Sequence, residues 1–104
     1  MGSLCVCSTV FTAGKNAYIG EAWGSVYSTS DTFKAPDYPV AFKSPPASVF
    51  DYVGADDGST YAAFAYRDVT SATAKTAGEV WLMRPSHGTT IGRPKFAVLA
   101  MGLV

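Results

Sequence analysis

The 104 residues suffice for one small domain, and the chain is poor in charge, with 48% hydrophobic and 15% charged residues. This composition excludes intrinsic disorder, and a small monomer with so few charges would tend to self-associate. Eight basic and eight acidic residues cancel, and Lys and Arg are not gathered in one stretch, which excludes nucleic-acid binding through phosphate neutralisation. No apolar run approaches the roughly 18 residues of a membrane-spanning helix, so no membrane insertion is expected.

Taken in chain order, the predicted elements are all strands. No segment keeps a helical period of apolar residues, strand-forming residues are frequent, and turn-forming residues recur at short intervals. This pattern predicts an all-β fold, a single antiparallel β-sandwich of about six to eight strands. The predicted strands cover residues 3–12, 18–29, 38–43, 47–54, 60–67, 70–76, 79–84 and 95–103.

The chain begins with Met1-Gly2-Ser3, which lacks the basic and apolar stretches of a signal peptide and is interpreted as an addition for expression or a trimmed N-terminus. In the first strand, Cys5 and Cys7 point to the same face, about 6.5 to 7 Å apart, near the upper limit for a disulfide. With one histidine in the chain, they cannot complete a four-ligand zinc site. We predict two reduced, inward-facing thiols, as suits assembly in a reducing cytosol.

Asp56-Asp57-Gly58-Ser59 lies between two apolar runs and predicts a hairpin turn. The two aspartates lack the further alternating acids of a calcium loop, so a turn role explains them. In the strand that follows, Phe64 and Tyr66 share one face. Ala63 and Ala65 share the other, where small side chains let a neighbouring sheet approach closely.

The sequence contains no catalytic arrangement. A serine or cysteine nucleophile needs a base, and His87 is the only histidine. The chain is therefore predicted not to be an enzyme and to require no metal and no cofactor. His87 is interpreted as an exposed loop residue or a receptor contact. Trp23 and Trp81, together with the tyrosines, are interpreted as core or subunit-interface residues, the alternative being a sugar-binding platform.

The last predicted strand is apolar on both faces, since residues 96, 98 and 100 and residues 97, 99 and 101 are all apolar. A chain of this length has one core, so we expect the second face to be covered by another copy of the chain. Val98 is expected to lie in that interface, where a Val98→Asp change would prevent assembly.

From Tyr18 to Gly102 the order of features resembles a known family. The segments that carry the likeness are Trp23-Gly24-Ser25-Val26-Tyr27-Ser28-Thr29-Ser30, Tyr38-Pro39-Val40-Ala41-Phe42-Lys43-Ser44-Pro45-Pro46, Ser48-Val49-Phe50-Asp51-Tyr52-Val53, Arg67-Asp68-Val69-Thr70-Ser71-Ala72, Val80-Trp81-Leu82 and Phe96-Ala97-Val98-Leu99-Ala100-Met101-Gly102. Together they resemble the distal β-sandwich domains that end phage tail fibres and other receptor-binding tail proteins, which are similar to H-type lectins. The chain departs from that pattern where Ser71-Ala72 stands in place of Gly-Phe.

The resemblance implies that residues 1–104 are the C-terminal tip of a longer, homotrimeric fibre protein, located in the virion tail and assembled in the bacterial host cytoplasm. The function it implies is adhesion to a bacterial surface receptor, a glycan or a protein. The alternative is a purely structural virion module, such as a decoration, baseplate or fibre-trimerisation domain, that recognises only phage proteins.

Receptor contacts are expected in the segment 84–94, the longest connection between strong predicted strands, because loops on rigid scaffolds carry binding. Arg84, His87 and Arg93 supply much of its hydrogen-bonding capacity. We expect these three side chains to touch the receptor, and the Trp23–Tyr27 strand is the second choice.

Overall fold

The computed structural model describes residues 2–104; Met1, which belongs to the segment interpreted as an addition for expression, lies outside them. Within the described residues the chain forms nine strands and a short 3-10 helix, Val69–Ser71. The strands are β1 (Leu4–Thr12), β2 (Ala17–Trp23), β3 (Val26–Thr29), β4 (Phe33–Lys34), β5 (Ala47–Ala55), β6 (Phe64–Asp68), β7 (Glu79–Arg84), β8 (Thr89–Ile91) and β9 (Pro94–Leu103). Every pairing between them is antiparallel, so the predicted all-β, antiparallel fold is confirmed. None of the helical structure in residues 2–104 is long and apolar enough to cross a membrane.

The strands form two sheets. The smaller has the order β1-β9-β5. In the larger, β7 pairs with β6 along one edge and with both β4 and β3 along the other, and the sheet continues from β3 to β2 and β8. In the smaller sheet β1 pairs with β9 over its whole length, from Leu4 opposite Leu103 to Thr12 opposite Lys95. The first and last strands are therefore joined, and β9 is the central strand.

Phe96 of β9 is the centre of the core. It is fully buried, and its ring lies 5.6 Å from those of Phe11 and Phe33 and 6.2 to 6.4 Å from those of Tyr52 and Phe50, measured between centroids. The larger sheet contributes further buried residues to this cluster, namely Ile19, Val80, Leu82 and Ile91. The two sheets thus share one core, and the inner face of each is the side turned toward the other.

Arg67 ties the two sheets together. From β6 it donates a hydrogen bond of 2.7 Å to the carbonyl oxygen of Ser48 on β5, and a second one to the Ser48 hydroxyl. It also donates one of 3.2 Å to the carbonyl oxygen of Ala77. Its guanidinium carbon lies 6.0 Å from the Phe50 ring centre, so the charged group is held among acceptors and an aromatic face.

Four predicted strands are corrected by the structure. The predicted strand 60–67 is β6, which begins only at Phe64, since residues 60–63 are irregular. The segment 18–29 is two strands, because Gly24, with φ of +62°, begins a two-residue turn that no other residue type enters as readily. The segment 38–43 is irregular. The segment 70–76 begins in the 3-10 helix, since the Asp68 carboxylate accepts hydrogen bonds from the Thr70 amide and hydroxyl and caps that turn. The short strands β4 and β8 were not predicted.

The predicted hairpin at Asp56-Asp57-Gly58-Ser59 is also wrong. β5 pairs with β9, and β6 pairs with β7, so this turn crosses from one sheet to the other. The long apolar β9 offers β5 a partner along eight paired positions, and this distant pairing prevails over the local one.

Cys5 and Cys7 are not joined by a disulfide in the structure, and they share one face of β1. Cys7 lies opposite Ala100, which is buried in the core, so this is the inner face. Burial, and the neighbouring Cys5 to a smaller extent, raise the pKa of the Cys7 thiol. Cys7 is therefore less ionised near neutral pH than an exposed thiol.

Candidate functional site

The outer side of the smaller sheet is an exposed surface of aliphatic residues. Its large members are Leu4, Val6, Val10, Val49, Val53, Leu99, Met101 and Leu103, each between 48% and 66% exposed. We call this surface the aliphatic face. A shallow groove across it is lined by Ala47, Ser48, Val49, Leu99 and Met101.

The structure corrects the expected place of Val98. Val98 is 5% exposed and belongs to the chain's own core, whereas Leu99 is 49% exposed on the aliphatic face. Successive side chains of β9 alternate between these two environments. β9 is apolar on both sides, as the sequence indicates. Its exposed side chains are those of the odd-numbered residues Leu99, Met101 and Leu103, and not that of Val98.

The outer side of the larger sheet carries a cluster of aromatic rings. Trp23 of β2, Tyr66 of β6 and Trp81 of β7 have ring centroids 5.8 to 6.0 Å apart and interplanar angles of 44° to 54°. Trp23 and Tyr66 are each nearly half exposed, and Trp81 is half-buried. We call these three residues the aromatic patch. Met83, two positions beyond Trp81 on the same side of β7, is buried.

Each ring of the aromatic patch has an acidic residue two positions away on its own strand, and therefore on the same side of the sheet. The acids are Glu21 beside Trp23, Asp68 beside Tyr66 and Glu79 beside Trp81. Asp68 and Glu79 are directly opposite in register. One oxygen of Glu79 accepts a hydrogen bond from the Thr32 hydroxyl, which fixes the carboxylate in place.

Two of the three expected receptor residues lie close to one another. Arg84 is directly opposite Tyr27 in register, and the His87 ring lies edge-on to the Tyr27 ring with centroids 5.2 Å apart. The Arg84 guanidinium lies over the Tyr61 ring, 4.8 Å from its centre, and two of its nitrogens are buried without a hydrogen-bond partner in residues 2–104. Arg84 thus holds the Tyr61 segment against β7, and His87 is the exposed member.

Arg93 lies apart from these two, beyond the other end of β8. Its guanidinium forms an ion pair with Asp56, and its backbone amide donates a 3.2 Å hydrogen bond to the Asn16 side chain. Its backbone has φ of +36°, an unusual value for a residue with a side chain. Segment 84–94 is therefore not one loop: β8 interrupts it, and its ends make different contacts.

Asp57 joins the β5–β6 turn to the β8–β9 turn. One carboxylate oxygen accepts from the backbone amide of Ser59 at 2.9 Å and from its hydroxyl, and the other accepts from the backbone amide of Gly92 at 3.1 Å. The Ser59 hydroxyl and amide, with the Gly92 amide, lower the pKa of this carboxyl. A turn role for Asp57 is thus observed.

An Asp57→Asn variant is expected to melt at a lower temperature than the wild type at neutral pH. The folded-state pKa lies below the unfolded value of about 3.9, so the stabilisation is present above that pH and is lost as pH falls through the folded value. The difference in Tm should therefore shrink below about pH 4. Thermal melts across acid pH test this, and a Tm difference that stays constant down to the lowest pH would contradict it.

A cavity of about 310 Å³ opens at one end of the two sheets and is lined by Phe11, Thr12, Ala13, Gly14, Lys15, Thr32, Phe33 and Lys34. Lys15 at its rim forms an ion pair with Asp31 at 3.1 Å. Among residues 2–104, no group of three His, Cys, Asp or Glu side chains is placed to hold a metal ion. The aliphatic face and the aromatic patch are therefore the two candidate sites, in preference to this cavity.

Comparison with protein-family models, with curated proteins and with solved structures finds no match to this chain. The sequence named Trp23 and Trp81 together but did not connect them with Tyr66, because the three residues meet only through the pairing of β6 with β7 and the order of strands in the sheet.

Proposed function

We propose that the chain is a self-associating attachment domain, the tip domain of a phage tail fibre or of a prophage equivalent, which forms a homotrimer and binds a receptor on the bacterial surface. The single observation that carries the proposal is the aliphatic face. Three paired strands of nine or ten residues present Leu, Val and Met side chains to solvent on the side away from the core. Such a surface needs a cover.

The size of the aliphatic face supports this proposal. Three strands of this length cover about 30 by 15 Å, or about 450 Å² of sheet surface. The largest continuous apolar patch on a monomeric protein is typically about 300–600 Å² and often marks an interaction site, so a face of this size suits a contact surface. Asp51 of β5 and Lys95 near the start of β9 are charged residues on this side of the sheet, and β1 has no charged residue at all. The same face on two further copies, packed around a threefold axis, matches this chemistry, since most of the contact would bury no unpaired charge.

The β-sandwich, the copy number of three and the attachment role are supported by the resemblance to phage tail-fibre tips and H-type lectins. Two sheets that share a core, with a shortest Cα extent of 18 Å, suit a sandwich of two layers about 10 Å apart. Weak binding at each of three receptor sites would be strengthened by their simultaneous use.

Two measurements test the proposal. Sedimentation equilibrium at micromolar concentration is expected to give the mass of a trimer, and a monomer would contradict it. The labelled protein is expected to bind saturably to the surface of at least one species in a panel of bacteria. A trimer that binds none of them would favour the alternative, a structural virion module without a receptor site.

A further inference from the structure

The aromatic patch and the aliphatic face differ in their chemistry and suit different partners. The aliphatic face is built from flexible and branched aliphatic side chains, and it resembles half of a protein core. The aromatic patch consists of three ring systems with carboxylates on the same side of each strand. This second combination suits a ligand that offers C–H groups to ring faces and hydroxyl donors to carboxylates.

From this chemistry we infer that the aromatic patch binds a neutral, hydroxyl-rich sugar. The electron-rich face of an aromatic ring attracts the weakly positive C–H groups on one side of a pyranose ring. The hydroxyl groups at the edge of the same sugar donate hydrogen bonds to carboxylates. Glu21, Asp68 and Glu79 supply those acceptors beside the three rings. The inference rests on the proposed attachment function and names its receptor chemistry and its surface.

The spacing of the rings excludes a cation held between them. Rings whose centroids are 5.8 to 6.0 Å apart are already in contact with one another, within the usual range for aromatic pairs. A quaternary ammonium group bound in an aromatic cage needs room between the rings, since each ring centre lies several ångströms from the cation. The open surfaces are therefore the outward faces of Trp23 and Tyr66, which form a platform rather than a cage.

The charges on this side of the sheet disfavour an acidic ligand. Glu21, Asp68 and Glu79 place carboxylates around the patch, and Lys34, which is opposite Glu79 in register, is the neighbouring basic residue. An acidic sugar would meet more negative than positive charge here. A neutral sugar has no such penalty, because its hydroxyls donate to the carboxylates without carrying a charge of their own.

Intrinsic fluorescence gives a direct readout, because both tryptophans of the chain belong to the aromatic patch. Glucose, galactose, N-acetylglucosamine and their disaccharides are titrated into the wild-type protein, with glucuronic acid and choline as charged comparisons. At least one neutral sugar is expected to shift the tryptophan emission with a dissociation constant in the millimolar range, while glucuronic acid and choline leave it unchanged.

The test variant is Tyr66→Ala, which keeps both tryptophan reporters and changes a side chain that is 47% exposed. It is expected to weaken sugar binding about tenfold, the effect of losing one aromatic contact. The matched control is Tyr18→Ala, an exposed tyrosine on β2 outside the aromatic patch, which should bind as the wild type does. A comparison variant replaces Arg84, His87 and Arg93 by Ala and should also retain sugar binding.

Four results would overturn the inference. In the titrations they are that no neutral sugar in the panel binds, or that choline binds instead. Among the variants they are that the variant without Arg84, His87 and Arg93 loses sugar binding while Tyr66→Ala keeps it, or that Tyr66→Ala changes the oligomeric mass. The last would make the patch a contact between subunits. Failure of the proposed function would look different: the wild-type protein would be monomeric, or it would bind to none of the bacteria tested. Equal cell binding by the wild type and by Tyr66→Ala would leave the proposed function standing and would be a fifth result against the sugar platform.

Discussion

A Leu99→Asp variant is expected to sediment as a folded monomer, in contrast to a wild-type trimer. Leu99 lies in the central strand of the aliphatic face, between Ser8 on β1 and Val49 on β5. In the free chain the new carboxylate is in water and costs little. In the assembly it would be buried without a partner, at a cost of several kcal/mol (order of magnitude) for each subunit. Sedimentation equilibrium and circular dichroism together measure the two effects.

The neighbouring residue provides the matched control. Val98→Asp places the same charge one residue earlier, on the inner side of β9, where the wild-type side chain is 5% exposed. This variant is expected not to fold, because the carboxylate enters the chain's own core. If Leu99→Asp remains trimeric, the aliphatic face is not a contact between subunits. If it unfolds as Val98→Asp does, the expectation of a stable folded monomer is wrong.

Phe96→Ala is expected to be the most damaging aromatic truncation in the chain. The Phe96 ring is fully buried and lies within 6.4 Å of four other rings that come from both sheets. Removing it leaves a cavity between the layers and should cost about 3–5 kcal/mol. That is a large part of the roughly 5–15 kcal/mol that stabilises a typical domain, so a fall in Tm of more than about 12 °C is expected.

Phe64→Ala is the control for this prediction, since Phe64 is 44% exposed on the outer side of β6. Its truncation should cost about 1 kcal/mol or less. Both variants are compared with the wild type at one protein concentration, because assembly makes Tm depend on concentration. Equal losses of stability at positions 64 and 96 would contradict the placing of the core around β9.

Local patterns in the sequence predicted the strands that are long and uninterrupted. β1, β5, β7 and β9 were predicted within one residue at each end, because a run of apolar and β-branched residues between turn-forming residues defines them. Elements that depend on a single interaction were missed. The carboxylate of Asp68 is enough to turn residues 69–71 away from a strand, and β8 has only three residues with which to show a pattern.

The partners of the strands could not be read from local sequence. Asp56-Asp57-Gly58-Ser59 has the composition of a hairpin turn, yet Asp51 of β5 lies opposite Ala97 of β9, far along the chain. The aromatic patch depends on the same kind of distant contact, since Trp23 and Trp81 meet only through the order of strands in the larger sheet. The uninterrupted apolar run in β9 predicted two apolar faces, because a half-exposed strand would alternate with polar residues. Packing against the larger sheet decides which of the two faces turns inward.

The pairing of β1 with β9 has a consequence for how the chain reaches its native state. Leu4 pairs with Leu103, so the smaller sheet cannot form during synthesis until residues 94–103 have been made. Contacts so distant along the chain are characteristic of slow folding, on the scale of milliseconds to seconds. During that interval β1, nine residues without a charge, is an unpaired strand that other nascent chains can join. High expression levels therefore favour aggregation over folding, and slower synthesis at lower temperature should raise the yield of native protein.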